Sequence, residues 1–249
     1  MKAYFGNLKK FALDIFFPKF CINCGAEGSY LCEDCFALMD ILESSYCLCE
    51  KPFRLPFVGK CQKCQQKKLN GLYFAVSYQN NLVKKLIHRF KYEPFAKELS
   101  NELASLIITH FSLLNKAPEF SDSAKIASRF NGASFVLVPI PLHKKRLKWR
   151  GFNQAEELAK ELSKSLGIPL SSNLLIRLKE TLPQVDLSKE ERENNIRGAF
   201  AVINSELIQK KKILLVDDVY TTGITMEECA RLLKDQGAKE VWGIAIARG

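Results

Sequence analysis

The sequence has few acidic residues for its size and no long apolar run. Its 249 residues include 27 Asp and Glu against 37 Lys and Arg, which leaves a net charge of +10. That charge favours polyanions such as nucleic acids or phosphorylated ligands, although many basic proteins bind neither. No uninterrupted apolar stretch reaches the roughly 18 residues that a membrane-spanning helix needs, so we expect no membrane span.

The N-terminal segment also lacks the pattern of a secretory signal, because Lys9, Lys10, Asp14 and Lys19 interrupt its apolar residues. These apolar residues could form an amphipathic helix at a membrane interface or, as we prefer, a helix that packs on the rest of the chain. They are Phe5, Leu8, Phe11, Ile15 and Phe16. We therefore expect a cytoplasmic protein, with a peripheral position at the inner membrane as the alternative.

Cysteine is concentrated in one short segment. Eight of the nine cysteines lie between residues 21 and 64, and without a secretory signal their thiols are expected to stay reduced. Clustered pairs of reduced thiols indicate metal ligands more than disulfides, and four pairs suffice for two tetrahedral Zn²⁺ sites. The eight candidate ligands are Cys21, Cys24, Cys32, Cys35, Cys47, Cys49, Cys61 and Cys64.

The two sets of four cysteines are not equivalent. The first set consists of two C-x-x-C pairs, whereas the second begins with a C-x-C pair and is the less certain site. Thiol exchange is the weaker alternative, because a redox C-x-x-C usually occurs singly at the start of a helix in a larger α/β unit. The ninth cysteine, Cys229, is predicted to be a core residue.

Beyond residue 70, apolar segments of strand length alternate with amphipathic segments of helix length. Strands are predicted at 72–79, 134–140, 173–178, 211–216 and 240–247, helices at 82–91, 95–111, 153–167 and 225–236, and a surface loop at 112–132. Nearly continuous apolar strands indicate a parallel sheet that is covered on both faces. We predict an α/β fold with a doubly wound, mainly parallel sheet over residues 71–249, preceded by a helix and a cysteine module over 1–70.

The segment ILLVDDVYTTGIT, residues 213–225, places polar groups at the end of a buried strand, where open parallel sheets bind their ligands. The loop after Asp217 and Asp218 offers backbone N–H groups, three Thr hydroxyls and a Gly before a helix N-terminus, which suit a phosphate monoester. The carboxylates could accept hydrogen bonds from vicinal ribose hydroxyls, with a divalent cation nearby. A phosphorylated ribose would satisfy both groups.

A purely structural interpretation exists for the same residues. Adjacent Asp residues often cap a helix or solvate a turn, and Thr225 with Glu228 fits a capping box. The complete pattern, however, resembles the signature for phosphoribosyl pyrophosphate (PRPP) of type I phosphoribosyltransferases. This resemblance implies that Asp217 and Asp218 hold the ribose hydroxyls and that the next loop holds the 5′-phosphate. The loop comprises Tyr220, Thr221, Thr222, Gly223, Ile224 and Thr225.

The resemblance also implies a second loop, which holds the pyrophosphate of PRPP. The pyrophosphate would bind together with Mg²⁺. The segment VPIPLHKKRLKWRGFNQ, residues 138–154, is rich in cations and contains no acid. We assign Lys144, Arg146 and Arg150 to the pyrophosphate, with a merely solvated basic loop as the alternative.

Longer motifs narrow the resemblance. The strings P-L-H-x-x-R-x-x-x-R-G-F-N-Q, T-L-P-Q (181–184) and E-R-x-x-N-x-x-G-A-F (191–200), together with DDVYTTG, resemble the ComF family, which is associated with natural competence in bacteria. The resemblance implies PRPP binding, an N-terminal double zinc ribbon, and a role in DNA uptake with single-stranded DNA and other uptake proteins as partners. It also makes Arg192 and Asn195 part of a mobile lid over the ligand.

Two basic clusters, at 84–91 and 143–150, could form a path for single-stranded DNA. Lys84, Lys85 and Lys91 are predicted to share a helical face that lies outside the phosphoribose site. Single strands are usually held by cations and stacked on aromatic rings, and Phe90, Tyr92, Trp149 and Phe152 are interspersed here. The structural alternative is that Phe90 and Phe152 are core residues. The functional alternative is that the protein is an active phosphoribosyltransferase without a DNA role, for an acceptor that no motif identifies.

Overall fold

The computed structural model describes residues 18–93, 96–116, 135–180, 191 and 195–249. The predicted N-terminal amphipathic helix, the TLPQ motif and Arg192 of the predicted lid lie outside these residues. So does most of the predicted loop at 112–132. Within the part of the chain that is described, no helix combines the length and the apolar character needed to cross a bilayer.

The cysteine-rich segment contains little regular structure. It has one short helix, α1 (Glu33–Ala37), and a two-stranded antiparallel sheet made of β1 (Ser45–Tyr46) and β2 (Arg54–Leu55). A 3₁₀ turn at Gln62–Cys64 follows. A segment with so few backbone hydrogen bonds between elements needs other contacts to hold its shape.

Regular elements of ordinary length follow from residue 72 onward. In chain order they are β3 (Leu72–Ser77), α2 (Asn81–Tyr92), α3 (Ser100–Lys116), β4 (Phe135–Pro139), α4 (Lys144–Arg150), α5 (Gln154–Leu166), β5 (Leu175–Arg177), β6 (Phe200–Val202), β7 (Lys212–Tyr220), α6 (Ile224–Asp235) and β8 (Glu240–Arg248). Short 3₁₀ turns lie at Ala96–Leu99 and Ser205–Ile208.

Four of the strands form one parallel sheet in the order β3-β8-β7-β4. Alternate residues of β7 belong to different apolar cores: Leu214 and Val216 to one, and Ile213 and Leu215 to the other. Helices α2, α3 and α5 cover the first face, and α6 covers the second. A sheet buried on both faces needs strands that are apolar on both sides, and the predicted doubly wound α/β fold is confirmed.

The strand predicted at 173–178 does not join this sheet. Its central part, β5, pairs antiparallel with β6, with Ile176 opposite Ala201. The place beside β4 is taken earlier in the chain, where Leu137 donates its N–H to Pro169 O at 2.9 Å and accepts from Ser171 N–H at 2.9 Å. An apolar run indicates a strand but not its partner, so the expectation of a parallel sheet position was wrong here.

The basic segment predicted to be a loop contains helix α4, which ends at Gly151 in a left-handed conformation. Asn153 caps α5, because its Oδ1 accepts from Ala155 N–H at 3.2 Å. Helix α6 does not begin with the capping box that the structural interpretation suggested. Gly223 is its N-cap, and no side-chain capping hydrogen bond forms, so the predicted capping box of Thr225 and Glu228 is absent.

The cysteine-rich segment packs against the α/β part of the chain. Leu31 belongs to the same apolar core as α2 and α3, and Leu48 to the same core as α6. Arg248, at the end of β8, donates from Nη1 to Cys47 O at 2.6 Å and from Nη2 to Cys49 O. The domain boundary at residue 70 stays a prediction, since the two parts share both cores.

Candidate functional site

A cleft of about 240 Å³ opens beside the carboxyl-terminal part of β7. It brings together most of the residues that the sequence assigned to a phosphoribose ligand. Those lining it are Arg146, Arg150, Asp217, Asp218, Tyr220, Thr221, Gly223, Ile224 and Thr225. Thr222 lines a second, neighbouring cleft instead, and neither Lys144 nor Asn195 lines the first cleft.

Lys91 also lies in the cleft. Its Nζ is 2.9 Å from Asp218 Oδ1, and the two side chains are only 24% and 10% exposed. The expectation that helix α2 lies outside this site is therefore wrong at its last turn. A Lys in a helix has no sequence signal that identifies a carboxylate partner more than 120 residues away, and only the fold shows this contact.

The two carboxylates have different electrostatic environments. Burial, followed by the negative charge of Asp218, raises the pKa of Asp217 to about 7, although Lys91 opposes the shift. Burial acts to lower the pKa of Lys91, but the charge of Asp218 outweighs it and the pKa is raised. The site therefore holds the Lys91–Asp218 ion pair beside a carboxyl group, that of Asp217, whose pKa is raised to about 7.

The loop between β7 and α6 has the geometry of an anion site. Gly223 has a φ of 79°, which other residues rarely adopt, and a Cβ there would lie 2.2 Å from the Tyr220 hydroxyl. The loop leads into the N-terminus of α6, a helix of 12 residues, where free N–H groups favour an anion. Among the described residues, the buried Thr222 Oγ1 has no hydrogen-bond partner.

Two arginines line the opposite side of the cleft. Burial lowers the pKa of Arg150, against the opposing effect of Asp218, and its Nε is buried without a hydrogen-bond partner among the described residues. Arg146 lies one turn earlier on α4. Arg177 of β5 also lines the cleft, and its signal in the sequence was a charged residue within an apolar strand.

The residues assigned to DNA separate in the structure. Lys84, Lys85 and His88 line a groove that is distinct from the carboxylate cleft, whereas Lys91 lies inside the cleft. The aromatic residues separate as well. Phe90 is fully buried and its ring lies 5.6 Å from that of Phe152, which packs against the same core, so these two follow the structural alternative, while Tyr92 and Trp149 are exposed.

The first four cysteines form a compact cluster in which all the sulfur atoms of Cys21, Cys24, Cys32 and Cys35 lie within 4.8 Å of one another. The Sγ atoms of Cys24 and Cys32 are 3.6 Å apart. Four sulfurs bound at about 2.3 Å around zinc would be roughly 3.8 Å apart. Burial acts to raise the pKa of Cys21, but hydrogen bonds from neighbouring backbone groups lower it to about 6, whereas the pKa values of Cys32 and Cys35 are raised. A metal ion would displace the protons of these thiols on binding.

The second cluster is less regular. Cys47, Cys49 and Cys61 have sulfurs within 4.8 Å of one another, and Cys64 Sγ lies 3.5 Å from Cys61 Sγ. Phe53 N–H donates to Cys47 Sγ at 3.4 Å. Cys64 thus approaches the cluster through Cys61 and lies outside the compact group of three. Both clusters could hold a metal ion, and the second is the looser one, in agreement with its C-x-C spacing.

Comparison with known proteins follows the same division of the chain. Residues 150–248 match the phosphoribosyl transferase domain family. This range begins at Arg150 and includes both carboxylates and the loop after them, whereas the cysteine clusters precede it.

Three curated relatives extend the comparison. Competence protein F of Haemophilus influenzae is 40% identical over 115 residues, which cover 45% of this chain and 50% of that protein. Competence protein ComFC of Bacillus subtilis is 28% identical over 213 residues, covering 83% and 79%. The DNA utilization protein YhgH of Salmonella typhimurium is 31% identical over 186 residues, covering 73% and 75%. The chain belongs to the ComF family.

Coverage of these ComF relatives differs. The match spans half of the length of the Haemophilus protein and three quarters of the Salmonella protein. The longer matches extend over more of the chain than residues 150–248, the part that matches the phosphoribosyl transferase domain. ComF membership therefore applies to the chain as a whole, with the cleft in its α/β part.

Proposed function

We propose that this ComF protein binds PRPP in the cleft beside Asp217 and Asp218, and that it acts in DNA uptake or utilisation by contacting single-stranded DNA. One observation carries the first part of the proposal. Three kinds of group converge on one small cleft: hydroxyl acceptors at Asp217 and Asp218, an anion loop at Gly223, and the cations Arg146 and Arg150. PRPP presents a matching set of hydroxyls, a monoester phosphate and a pyrophosphate.

The electrostatics of the cleft suit such a ligand. The charged Lys91 offsets Asp218, so the carboxylates can accept hydroxyl hydrogen bonds while repelling phosphate less strongly. Arg146 and Arg150 would contact the pyrophosphate, to which Mg²⁺ would also bind. Partly desolvated arginines are effective partners for phosphate oxygens because the guanidinium group donates several hydrogen bonds in one plane.

Calorimetry with PRPP and Mg²⁺ tests this assignment. Replacing both Asp217 and Asp218 with Asn should abolish measurable binding, because the amides cannot offer the same acceptors. Asp235→Asn, at the exposed end of α6, is the control and should bind as the unmodified protein does. Equal affinity in the double variant and the control would remove the carboxylates from the ligand site.

The names of the relatives support the DNA part of the proposal, since they describe competence and DNA utilization proteins. The net charge of +10 is compatible with a nucleic-acid partner. We assign zinc to the two cysteine clusters, because four sulfurs of the first and three of the second lie within 4.8 Å of one another, with Cys64 next to the second group, and such sets of thiols suit Zn²⁺. In this proposal the metal is structural and fixes the segment that packs against Arg248.

A working transferase is the second candidate, and the paired arginines of the cleft favour it. Such an enzyme would break the bond between ribose C1 and pyrophosphate and form one to an acceptor nitrogen, with the arginines stabilising the departing pyrophosphate. Catalysis of this kind depends on positioning and charge more than on a general base. Pyrophosphate release from PRPP, measured with and without a panel of nucleobases, distinguishes the two: release that depends on one base identifies an enzyme.

A further inference from the structure

A group of exposed rings extends outward from Tyr92, which lines the carboxylate cleft. Tyr92 ends helix α2 and Trp149 lies near the end of α4, with ring centroids 6.0 Å apart. His88, one turn before Tyr92, has its ring 4.8 Å from the Tyr92 ring. We call His88, Tyr92 and Trp149 the aromatic ledge. Tyr92 is 52% exposed and Trp149 is 70% exposed, although large aromatic side chains gain most from burial.

The segments that carry the exposed rings of the ledge also contain rings that pack in the core. Phe90 and Phe152 lie within three residues of Tyr92 and Trp149, and both pack into the core. The same stretches of chain thus direct one aromatic residue inward and one outward. Two rings left facing solvent side by side are a feature of recognition surfaces for planar ligands.

The ledge is continuous with the site proposed for the ribose. Tyr92 lines the cleft that contains Asp217 and Asp218. Its neighbour in the sequence, Lys91, forms the ion pair with Asp218. A ribose held by these carboxylates would therefore lie close to the ledge, and a ring next to the ribose could stack on it.

Two positive charges lie near the ledge. The Arg150 guanidinium lies 5.3 Å from the centre of the Tyr92 ring, and Lys148 precedes Trp149 in α4. A guanidinium and aromatic rings together form a surface for electron-rich heterocycles that are close to phosphate groups. A purely apolar ligand would gain nothing from these cations.

We propose that the aromatic ledge is the binding site for a nucleobase, which stacks on Trp149 next to the ribose in the cleft, with the Tyr92 ring, inclined at 59° to the Trp149 ring, at its edge. This proposal rests on the proposed PRPP site for its position, but the stacking itself does not require PRPP. The base belongs either to a free nucleobase, which would be an acceptor in the transfer, or to a single strand of nucleic acid that enters the cleft. Both sources present the same planar ring to the ledge.

Fluorescence quenching tests the proposal directly. The sequence has two tryptophans, so in a Trp242→Phe background Trp149 is the only one. Titration with adenine and with a twelve-residue oligo-dT, each with and without PRPP and Mg²⁺, should quench Trp149 emission in a saturable manner for at least one probe. Quenching by adenine alone identifies a free base, and quenching by the oligonucleotide alone identifies a strand.

Affinity measurements on variants separate the loss of stacking on Trp149 from the effect of removing any exposed ring. Trp149→Ala should weaken binding of the probe that quenches by ~5- to 50-fold, and Trp149→Phe should restore most of the loss, since stacking needs a ring and not an indole. The control is Phe57→Ala, which removes a ring that is 62% exposed on the cysteine-rich segment. Equilibrium dialysis with labelled adenine and anisotropy of labelled oligo-dT measure these affinities.

Two results would overturn the ledge as a base site: saturable quenching by neither probe, or an equal loss of affinity in Trp149→Ala and Phe57→Ala. PRPP calorimetry on the unmodified protein keeps this result separate from the proposed function. Normal PRPP binding together with no base binding in the unmodified protein rejects the ledge alone. Base binding without any PRPP binding rejects the PRPP site and leaves the ledge.

Discussion

The side chains of Lys91 and Asp218 stabilise each other in a place where either one alone would be unfavourable. Each is largely removed from water, and their charged atoms are 2.9 Å apart. Breaking a buried pair leaves an uncompensated charge, which costs more than the pair itself contributes. If Lys91 is removed, the uncompensated charge is that of Asp218, which we assign to a ribose hydroxyl.

We expect Lys91→Met to lower the free energy of unfolding by roughly 2 kcal/mol, less than for a fully buried pair because Lys91 is 24% exposed. Denaturant unfolding at pH 8 measures this change. Adding Asp218→Asn should recover much of the loss. The control is Lys164→Met, whose pair with Glu161 is exposed and should matter by less than about 0.5 kcal/mol. No recovery in the double variant would contradict a direct coupling.

The raised pKa of Asp217 predicts a pH-dependent stability. Asp217 holds its proton more tightly in the folded chain, where its pKa is about 7, than in the unfolded chain, where the pKa is near 4. Keeping it ionised therefore destabilises the fold, increasingly as the pH rises from about 4 to about 7. Asp217→Asn should raise the free energy of unfolding at pH 8 by roughly 1–3 kcal/mol, and by about half as much at pH 5.5.

Unfolding titrations at these two pH values check the prediction, with Asp235→Asn as the exposed control. Lower pH is avoided because acid also protonates the cysteine thiols to which we assign zinc. A stabilisation that is the same at both pH values would show that Asp217 is not the titrating group.

The sequence identified the cleft residues of one strand and its following loop better than it identified the cleft residues that other elements contribute. Asp217, Asp218 and Gly223 lie in one strand and the loop after it, so a local pattern identifies them. Lys91 and Arg177 come from other elements, and their approach to the carboxylates depends on how those elements pack. The expected roles of Lys144 and Asn195 gained no support, because neither lines the cleft.

At the scale of elements, the two cysteine clusters are the parts with least secondary structure. Bound zinc would add to the apolar contacts of this segment, whose buried side chains belong to the two cores shared with the α/β part. We expect close to two zinc ions per purified chain by elemental analysis. Cys24→Ser should remove one ion and Cys49→Ser the other, whereas Cys229→Ser, a change in α6, should remove neither. A content near one ion that only Cys24→Ser abolishes would limit zinc to the first cluster.

The elements also show where local patterns stop being informative. The apolar run of β5 predicted a strand correctly, but its antiparallel partner β6 lies in a different part of the chain. Helix α4 was predicted as a loop because the resemblance to phosphoribosyltransferases implied a loop for the pyrophosphate in this segment. Gly151, which ends α4 with a φ of 84°, was the available signal for a helix, since Gly is common just after a helix end.

For the molecule as a whole, the basic surface predicts a salt-dependent interaction with single-stranded DNA. Binding of oligo-dT should weaken steeply as salt rises. Lys84→Glu with Lys85→Glu should weaken it further and reduce the salt slope by about 2, without altering PRPP affinity, because these lysines lie outside the carboxylate cleft.

Filter binding at several salt concentrations measures this effect. Lys210→Glu with Lys239→Glu changes the charge equally at two exposed positions that precede β7 and β8, at the opposite end of the sheet from the cleft. A loss of similar size in both double variants would show a general charge effect and remove Lys84 and Lys85 from the DNA path.

The order of strands in the sheet has a consequence for synthesis on the ribosome. Strand β3 is an edge strand whose partner in the sheet is β8, with Leu72 opposite Gly243. At about 5–20 residues per second, β3 waits roughly 10–30 s for that partner to be translated. During this interval its nearly continuous apolar sequence is a target for chaperones and for other nascent chains. The yield of this protein in cells therefore depends on what protects its first long strand before its last one exists.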